Sequence, residues 1–169
     1  MSKIKEIFFI NGKFNQEKVN KYLNEFQSET DRAAAILGGA YLDNLLNELL
    51  KCRLLYNSLT DKDLNNLSFD RRIKLCYSTG VINQKEKRDL TTIKNIRNYF
   101  AHDIEVNDFK KGNIPYLCKK LYSQEDSILA EGSPAANSRN IFTESVAILM
   151  SNLQDRILNC ERLNKIKGI

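Results

Sequence analysis

Hydrophobic residues recur every three or four positions through most of the chain, which is the pattern of amphipathic helices. The clearest such stretch begins near Ser28, which we expect to be the N-cap, with Asp31 completing a shortened capping box, and it continues to Leu54. Residues 33–40 lack large side chains apart from an isoleucine and a leucine, and contain two adjacent glycines. Because each glycine costs about 1 kcal/mol relative to alanine inside a helix, we predict a central helix that another backbone approaches closely.

Two further helices are predicted from the residues at their ends. Ser68 can cap a helix that stops at Gly80, at a position where the left-handed conformation is common. Asn83, followed three residues later by Glu86, resembles a capping box and predicts a helix that runs as far as His102.

The remaining segments complete an all-helical prediction. The same spacing predicts an N-terminal helix from about Asn15 and a long last helix over about residues 138–165. Residues 60–66 are polar and are predicted to form a loop, and residues 104–124 are expected to hold only short helical turns. No alternating stretch typical of a strand is present. We therefore predict an all-α, single-domain helical bundle of about five to seven helices over residues 1–169, with long central and C-terminal helices.

Composition and charge leave the choice of function open. The chain is 42% hydrophobic and 28% charged, with a net charge of +5, which permits a polyanionic partner without requiring one. No run approaches the roughly 20 apolar residues that span a membrane. The apolar patch from Ile7 to Ile10 is too short for the core of a signal peptide. We expect a cytoplasmic protein with no membrane partner.

Four widely separated cysteines, Cys52, Cys76, Cys118 and Cys160, lie in apolar surroundings. With no Cys-x-x-Cys pair and a single histidine, no zinc pattern can be assembled. We expect these cysteines to be small, buried, reduced side chains. The sequence predicts neither a metal site nor a cofactor.

The candidate chemistry centres on His102, the one histidine in the sequence. An imidazole titrates near neutral pH and is the natural carrier of acid–base catalysis. Asn98 lies four residues earlier, on the same helix face. Arg97 lies five residues earlier, about 140° around an ideal helix. Arg97 and His102 could line one cleft if the helix frays or if the arginine reaches across.

The stretch Arg97-Asn-Tyr-Phe-Ala-His102 resembles the Arg-x-x-x-x-His signature of the HEPN superfamily, whose helical members include RNA-cleaving toxins and antiviral defence proteins. The resemblance implies a homodimer in which two copies of the motif meet, and metal-independent RNA cleavage by the ribose 2′-hydroxyl. His102 would transfer a proton, Arg97 would neutralise the phosphate, and Asn98 would orient one of them. It implies RNA as the substrate and a toxin or antiphage-defence role, with an antitoxin as a possible protein partner.

A longer resemblance, over roughly Phe26 to Asp103, points to a different function. Residues 28–32, 68–82 and 94–102 are similar in order and spacing to the mannitol-operon repressor (MltR-like) family. That family is helical and regulatory and lacks a recognisable helix-turn-helix. The resemblance implies a non-enzymatic transcription regulator that acts through protein partners. Both families share the motif that ends at His102, so the motif does not separate the two readings.

Other side chains are assigned supporting roles. The predicted substrate-binding residues are Arg71, Arg72, Lys94 and Tyr99. The three cations could instead be solvated helix faces, and Tyr99 could belong to the core or an interface rather than stack on a base.

Asp31 and Arg32 could support Arg97 as a second layer of charged groups, or could form an N-cap with a solvated ion pair. A purely structural alternative also stands for the motif itself. Arg97 could pair with an acid of the central helix (Asp31, Asp43 or Glu48), while Asn98 and His102 satisfy carbonyls at the helix end.

Overall fold

The computed structural model describes Asn24, Phe26 and residues 28–54, 60–121 and 137–166. In chain order its helices are α1 (Asp31–Leu54), α2 (Asp61–Asn65), α3 (Phe69–Ser78), α4 (Gln84–His102), α5 (Ile114–Lys119) and α6 (Ser138–Ile166). These ranges contain no strand, so the predicted all-α bundle with long central and C-terminal helices is confirmed. No helix in them is long and apolar enough to cross a membrane. Most of the helix predicted from about Asn15 lies outside the described residues.

Helix α1 begins two residues later than its predicted cap requires. The hydroxyl of Thr30 accepts the backbone N–H of Ala33 at 3.2 Å, so Thr30 is the capping residue and the prediction of Ser28 is wrong. The carboxylate of Asp31 is engaged elsewhere, accepting the backbone N–H of Phe109 at 3.0 Å. Ser28, Thr30 and Asp31 are all residue types that cap helices, so hydrophobic spacing alone cannot tell which of them is the N-cap.

The predicted ends of α3 and α4 are confirmed. The Ser68 hydroxyl accepts the backbone N–H of Arg71 at 3.4 Å, and Gly80 follows α3 with a φ of 70°. Asn83 and Glu86 form a reciprocal capping box at the start of α4, with both hydrogen bonds 2.9 Å long.

The predicted loop at residues 60–66 is wrong, because this stretch contains helix α2. Thr60 and Asp63 form a capping box, in which the Thr60 N–H donates to Asp63 at 2.9 Å. These hydrogen bonds lower the pKa of Asp63. Leu64 is the helix's buried anchor. A five-residue helix with one buried side chain shows no hydrophobic periodicity, so only its capping pair could have revealed it.

Helix α1 is central, as predicted. It packs most extensively against α6 and also contacts α2, α3 and α4. Its core side chains include Leu42, Leu46 and Leu50, all fully buried. Leu37 and Tyr41, which the periodicity also places on the apolar face, are 36% and 40% exposed.

Polar side chains attach α6 to the rest of the bundle. Arg156 forms a two-pronged ion pair with Glu86 (2.7 and 2.8 Å) and donates to the Val81 carbonyl at 2.9 Å. Arg139, one residue into α6, pairs with Asp31. These contacts join the last helix to the N-terminal ends of both α1 and α4.

The cysteines divide into two pairs of different character. Cys76 and Cys118 are free and buried, as predicted, and burial raises the pKa of each thiol to about 12. Cys52 and Cys160 are instead joined by a disulfide between α1 and α6, with Cα atoms 6.3 Å apart. The prediction of four free thiols is wrong for this pair, because a sequence separation of 108 residues hides their proximity.

Candidate active site at the end of helix α4

A guanidinium from α1 holds the C-terminal end of α4. Arg32 donates to the carbonyl of Phe100 and to the carbonyls of Asp103 (3.1 Å), Ile104 (3.2 Å) and Val106 (2.7 Å). The last carbonyls of a helix lack partners within the helix and carry a partial negative charge. One cation therefore satisfies the Phe100 carbonyl in the last turn of α4 and three carbonyls in the segment after it, and so fixes the backbone on both sides of His102.

His102 is exposed at the last position of α4 and lines an open cleft of about 820 Å³, which we call the histidine cleft. Its lining residues are Asn95, Asn98, Tyr99, His102, Asp103, Ile104, Asn113 and Leu117. The imidazole can therefore exchange protons with solvent and meet a ligand in this cleft. Sequence reasoning missed Asn113 and Leu117, which lie at the start of and within α5 and carry no motif.

Arg97 lies against a glycine of α1. A Cβ atom added to Gly39 would be 2.8 Å from Cγ and 3.1 Å from Cβ of Arg97, too close for ordinary contact. The predicted close approach to the glycines is therefore real, but an arginine stem makes it where another backbone was expected. The adjacent glycines were the only sequence signal of this contact.

Arg97 lines a second, smaller cleft between α1, α3 and α4, which we call the arginine cleft. This cleft of about 200 Å³ is lined by Gly39, Ala40, Asp43, Asn44, Asn47, Phe69, Arg72 and Arg97. Within one chain, Arg97 and His102 thus line different clefts, so the arrangement in which both line one cleft is not found.

Asn98 connects the two clefts. Its Oδ1 accepts a hydrogen bond from Nη1 of Arg97 at 3.0 Å, and its side chain also lines the histidine cleft. The predicted orienting role of Asn98 therefore has a geometric basis on the guanidinium side.

The acids proposed as structural partners of Arg97 all pair with other cations. Asp43 lies 2.6 Å from Arg72, Glu48 lies 3.2 Å from Lys51, and Asp31 pairs with Arg139. Among the described residues Arg97 forms no ion pair. The alternative that one of these acids neutralises Arg97 is therefore wrong.

Two of the predicted substrate-binding cations are held within the protein. Arg72 is buried, and its guanidinium donates to Asp43, to the Leu64 carbonyl (3.3 Å) and to the Asn65 carbonyl (3.0 Å). Its contacts serve the fold, so a role in binding a substrate backbone is not supported. Lys94 is half-buried, with Nζ 2.6 Å from Asp70, a carboxylate that it shares with Lys74.

The other two predicted substrate-binding residues differ in position. Tyr99 is 40% exposed and lines the histidine cleft beside His102, where its ring can meet a ligand. Arg71 is exposed on α3 but lines neither cleft. Only Tyr99 of the four is placed next to the imidazole.

Asp31 and Arg32 support the site, but not in the way that sequence suggested. Asp31 binds the Phe109 N–H and Arg139, and Arg32 binds the end of α4, so neither contacts Arg97. The alternative of a solvated pair is also wrong, since both side chains make contacts distant in sequence. They position the backbone around His102.

The assignment of a function to this site depends on the positions and contacts of the side chains described above. In the part of the chain that the structure describes, no three His, Cys, Asp or Glu side chains are grouped so as to hold a metal ion. The chain matches no family model, no curated protein and no solved structure.

Proposed function

We propose that the chain is a metal-independent endoribonuclease, with Arg97, Asn98 and His102 as its catalytic residues. The observation that carries the proposal is that the exposed His102 and Asn98 line the same open cleft, while Asn98 accepts a hydrogen bond from Arg97. Arg97 has no ion pair among the described residues. A buried imidazole or a guanidinium neutralised by a carboxylate would be unsuited to a phosphate ligand. Neither condition applies here.

The residue types suit transesterification of the RNA backbone, in which a ribose hydroxyl attacks the neighbouring phosphodiester. The 2′-hydroxyl loses its proton and attacks the adjacent phosphorus, the bond to the 5′-oxygen breaks, and that oxygen takes up a proton. The products are a 2′,3′-cyclic phosphate and a 5′-hydroxyl. Neutral His102 would accept the first proton, and a protonated imidazole of a second copy, or water, would supply the second. Arg97 would stabilise the charge that develops on the phosphate oxygens.

A homodimer suits this mechanism. Because Arg97 and His102 line different clefts within one chain, both can contact one phosphate only if Arg97 swings across Asn98 or two motifs meet. Ile104, 85% exposed, and Tyr99 form an apolar margin of the histidine cleft that a second copy would cover. The HEPN resemblance implies the same arrangement.

The direct test is cleavage of a labelled single-stranded RNA in excess chelator. We expect wild-type protein to leave 2′,3′-cyclic phosphate ends, and His102→Ala to lower the rate by about 10²- to 10⁴-fold. Arg97→Ala is expected to cause a loss of about 10²-fold or more. Arg53→Ala, which removes an exposed cation of α1 outside both clefts, is the matched control and should cleave like wild type. Equal and negligible cleavage by wild type and His102→Ala would remove the proposal.

A toxin or antiphage-defence role follows if the activity is confirmed. Expression of wild-type protein should then arrest growth of a bacterial host, whereas His102→Ala should not. A co-expressed antitoxin that binds the histidine cleft would restore growth.

The second candidate function is a regulator that acts through protein partners, as the longer resemblance implies. It is favoured by Ile104 and Tyr116, two exposed apolar side chains at or near the histidine cleft. This reading predicts no RNA cleavage, together with a protein complex that Ile104→Asp disrupts in size-exclusion chromatography. RNA cleavage that depends on His102 would reject it.

A further inference from the structure

The arginine cleft carries a stripe of polar side chains along one face of α1. Three residues of α1 that line the cleft recur at intervals of four positions, namely Gly39, Asp43 and Asn47. Asn44 also lines the cleft. Four residues advance a helix by about one turn, or roughly 5–6 Å. The carboxylate of Asp43 is therefore about one turn along α1 from Gly39, the residue on which the Arg97 stem rests.

These side chains have hydrogen-bonding capacity that the protein does not use. Oδ1 of Asp43 accepts from Arg72 at 2.6 Å, and a carboxylate has room for several more donors. The Asp43 side chain is 29% exposed, so part of this capacity faces the cleft.

Size and charge restrict what can bind in this cleft. Its volume of about 200 Å³ is smaller than that of typical pockets for drug-sized ligands and suits a single planar ring system. The Asp43 carboxylate repels a phosphate at its own position, whereas the Arg97 side chain attracts one. A nucleotide meets both requirements if its base occupies the cleft beside Asp43 and its ribose and phosphate extend out of the cleft toward Arg97.

We propose that the arginine cleft is a nucleotide subsite that prefers guanine. Guanine presents two adjacent donors, N1–H and N2–H, on its Watson–Crick edge, and these match the paired acceptors of the Asp43 carboxylate. Adenine places a ring acceptor at N1, which would face the carboxylate unfavourably. The inference rests on the proposed function in one respect: if the phosphate at Arg97 is the one cleaved, RNA is cut next to guanosine.

Binding can be measured without any cleavage. Guanosine 3′-monophosphate and adenosine 3′-monophosphate are titrated calorimetrically into full-length His102→Ala protein, which prevents turnover. We expect the guanine nucleotide to bind at least about tenfold more tightly, as one good base-specific pair allows. Asp43→Asn should abolish this preference, because an amide offers a donor where the carboxylate offers an acceptor. Asn152→Ala, an exposed position on α6 outside the cleft, is the control and should retain it.

Because Asp43→Asn also removes a partner of Arg72, a second readout does not depend on that variant. Guanosine 3′-monophosphate should shift the NMR side-chain amide signal of Asn44 and leave that of Asn95, in the histidine cleft, unchanged. Equal affinity for the two nucleotides overturns the guanine preference. Absence of binding by both overturns the subsite even if RNA is cleaved. Guanine-selective binding without cleavage of any RNA supports the subsite and rejects the nuclease.

Discussion

Gly39 is the residue that determines where Arg97 can lie, since only a glycine leaves room for the arginine stem. Gly39→Ala adds a Cβ atom 2.8 Å from Arg97 Cγ, so the arginine must move. We expect a net destabilisation of about 1 kcal/mol, because overpacking of about 1–3 kcal/mol outweighs the better helix propensity of alanine. RNA cleavage should fall as well, since Arg97 loses its position beside Asn98. Urea unfolding and the cleavage assay measure the two effects.

The control for this prediction is the same substitution in an Arg97→Ala background. Arg97→Ala removes Cγ but keeps Cβ, which would lie 3.1 Å from the added Cβ atom, so the clash is reduced but not abolished. Gly39→Ala should therefore cost less stability in this background than in the wild type, and a double-mutant cycle measures the difference. Equal costs in both backgrounds would show that Gly39 and Arg97 are not coupled.

Individual site residues were only partly predictable from sequence. The choice of His102 followed from its residue type and its position in a recognisable motif, whereas the exposure of Tyr99 did not, because an aromatic residue at a helix end can equally belong to the core. The inward position of Arg72 could not be predicted either. The local sequence pattern is the same whether a basic residue lies on a helix surface or turns inward to an acid, as Arg72 does to Asp43. What distinguishes them is an acid 29 residues away, and its position depends on how α1 and α3 pack.

Helix α4 carries the motif, and its C-terminal end depends on a side chain of another helix. Arg32→Lys keeps the positive charge but loses the planar fork that reaches the carbonyls of Phe100 and Val106 together. We expect a loss of about 2 kcal/mol in urea unfolding, within the range for hydrogen bonds to charged groups. Cleavage should fall too, because the backbone around His102 is released. Arg53→Lys, on the exposed side of α1, should change neither quantity.

Helices α3 and α4 are joined by a carboxylate whose contribution depends on pH. Asp70 accepts hydrogen bonds from Lys74 and Lys94, which lower its pKa from 3.8 to about 2. Its stabilising contribution is therefore complete above the ordinary carboxyl range and is lost as the pH falls toward 2. Asp70 is 39% exposed, so solvent limits the contribution to less than about 1 kcal/mol.

We expect Asp70→Asn to lower the urea midpoint slightly near neutral pH and to have progressively less effect as the pH falls toward 2. High salt should also reduce the difference, since exposed ion pairs are screened. A difference between Asp70→Asn and wild type that stays constant from neutral pH to pH 2 would contradict the assignment.

The elements were predictable where capping and periodicity agree. Helix α4 combines a long apolar face with a capping box, α6 has a long apolar face, and both lie where the sequence places them. Helix α2 was not predicted because its capping pair, Thr60 and Asp63, is not followed by a periodic pattern of apolar residues. The division into two clefts was also beyond sequence, since it depends on which helices cover each side of α4.

At the scale of the whole molecule, the disulfide and the candidate site lie toward opposite ends of α1. Cys52 joins the C-terminal end of α1 to α6, whereas Gly39 and Arg32 position the motif from its first half. The distance from Gly39 to Cys52 along the helix is about 20 Å. Stability and catalysis should therefore respond differently to the loss of this covalent bond.

Reduction of wild-type protein with dithiothreitol should lower its stability by up to about 4–5 kcal/mol, because a bond that closes a loop of this length restricts the unfolded chain strongly. Cys52→Ser should have the lower stability already and show no further response to reductant. The rate of RNA cleavage should be unchanged by reduction under conditions where the protein stays folded, since the packing of α1 against α4 around Arg97 does not involve Cys52. If reductant left the urea midpoint of the wild type unchanged, the two cysteines would not be cross-linked in solution, and noncovalent packing alone would hold α6 against α1.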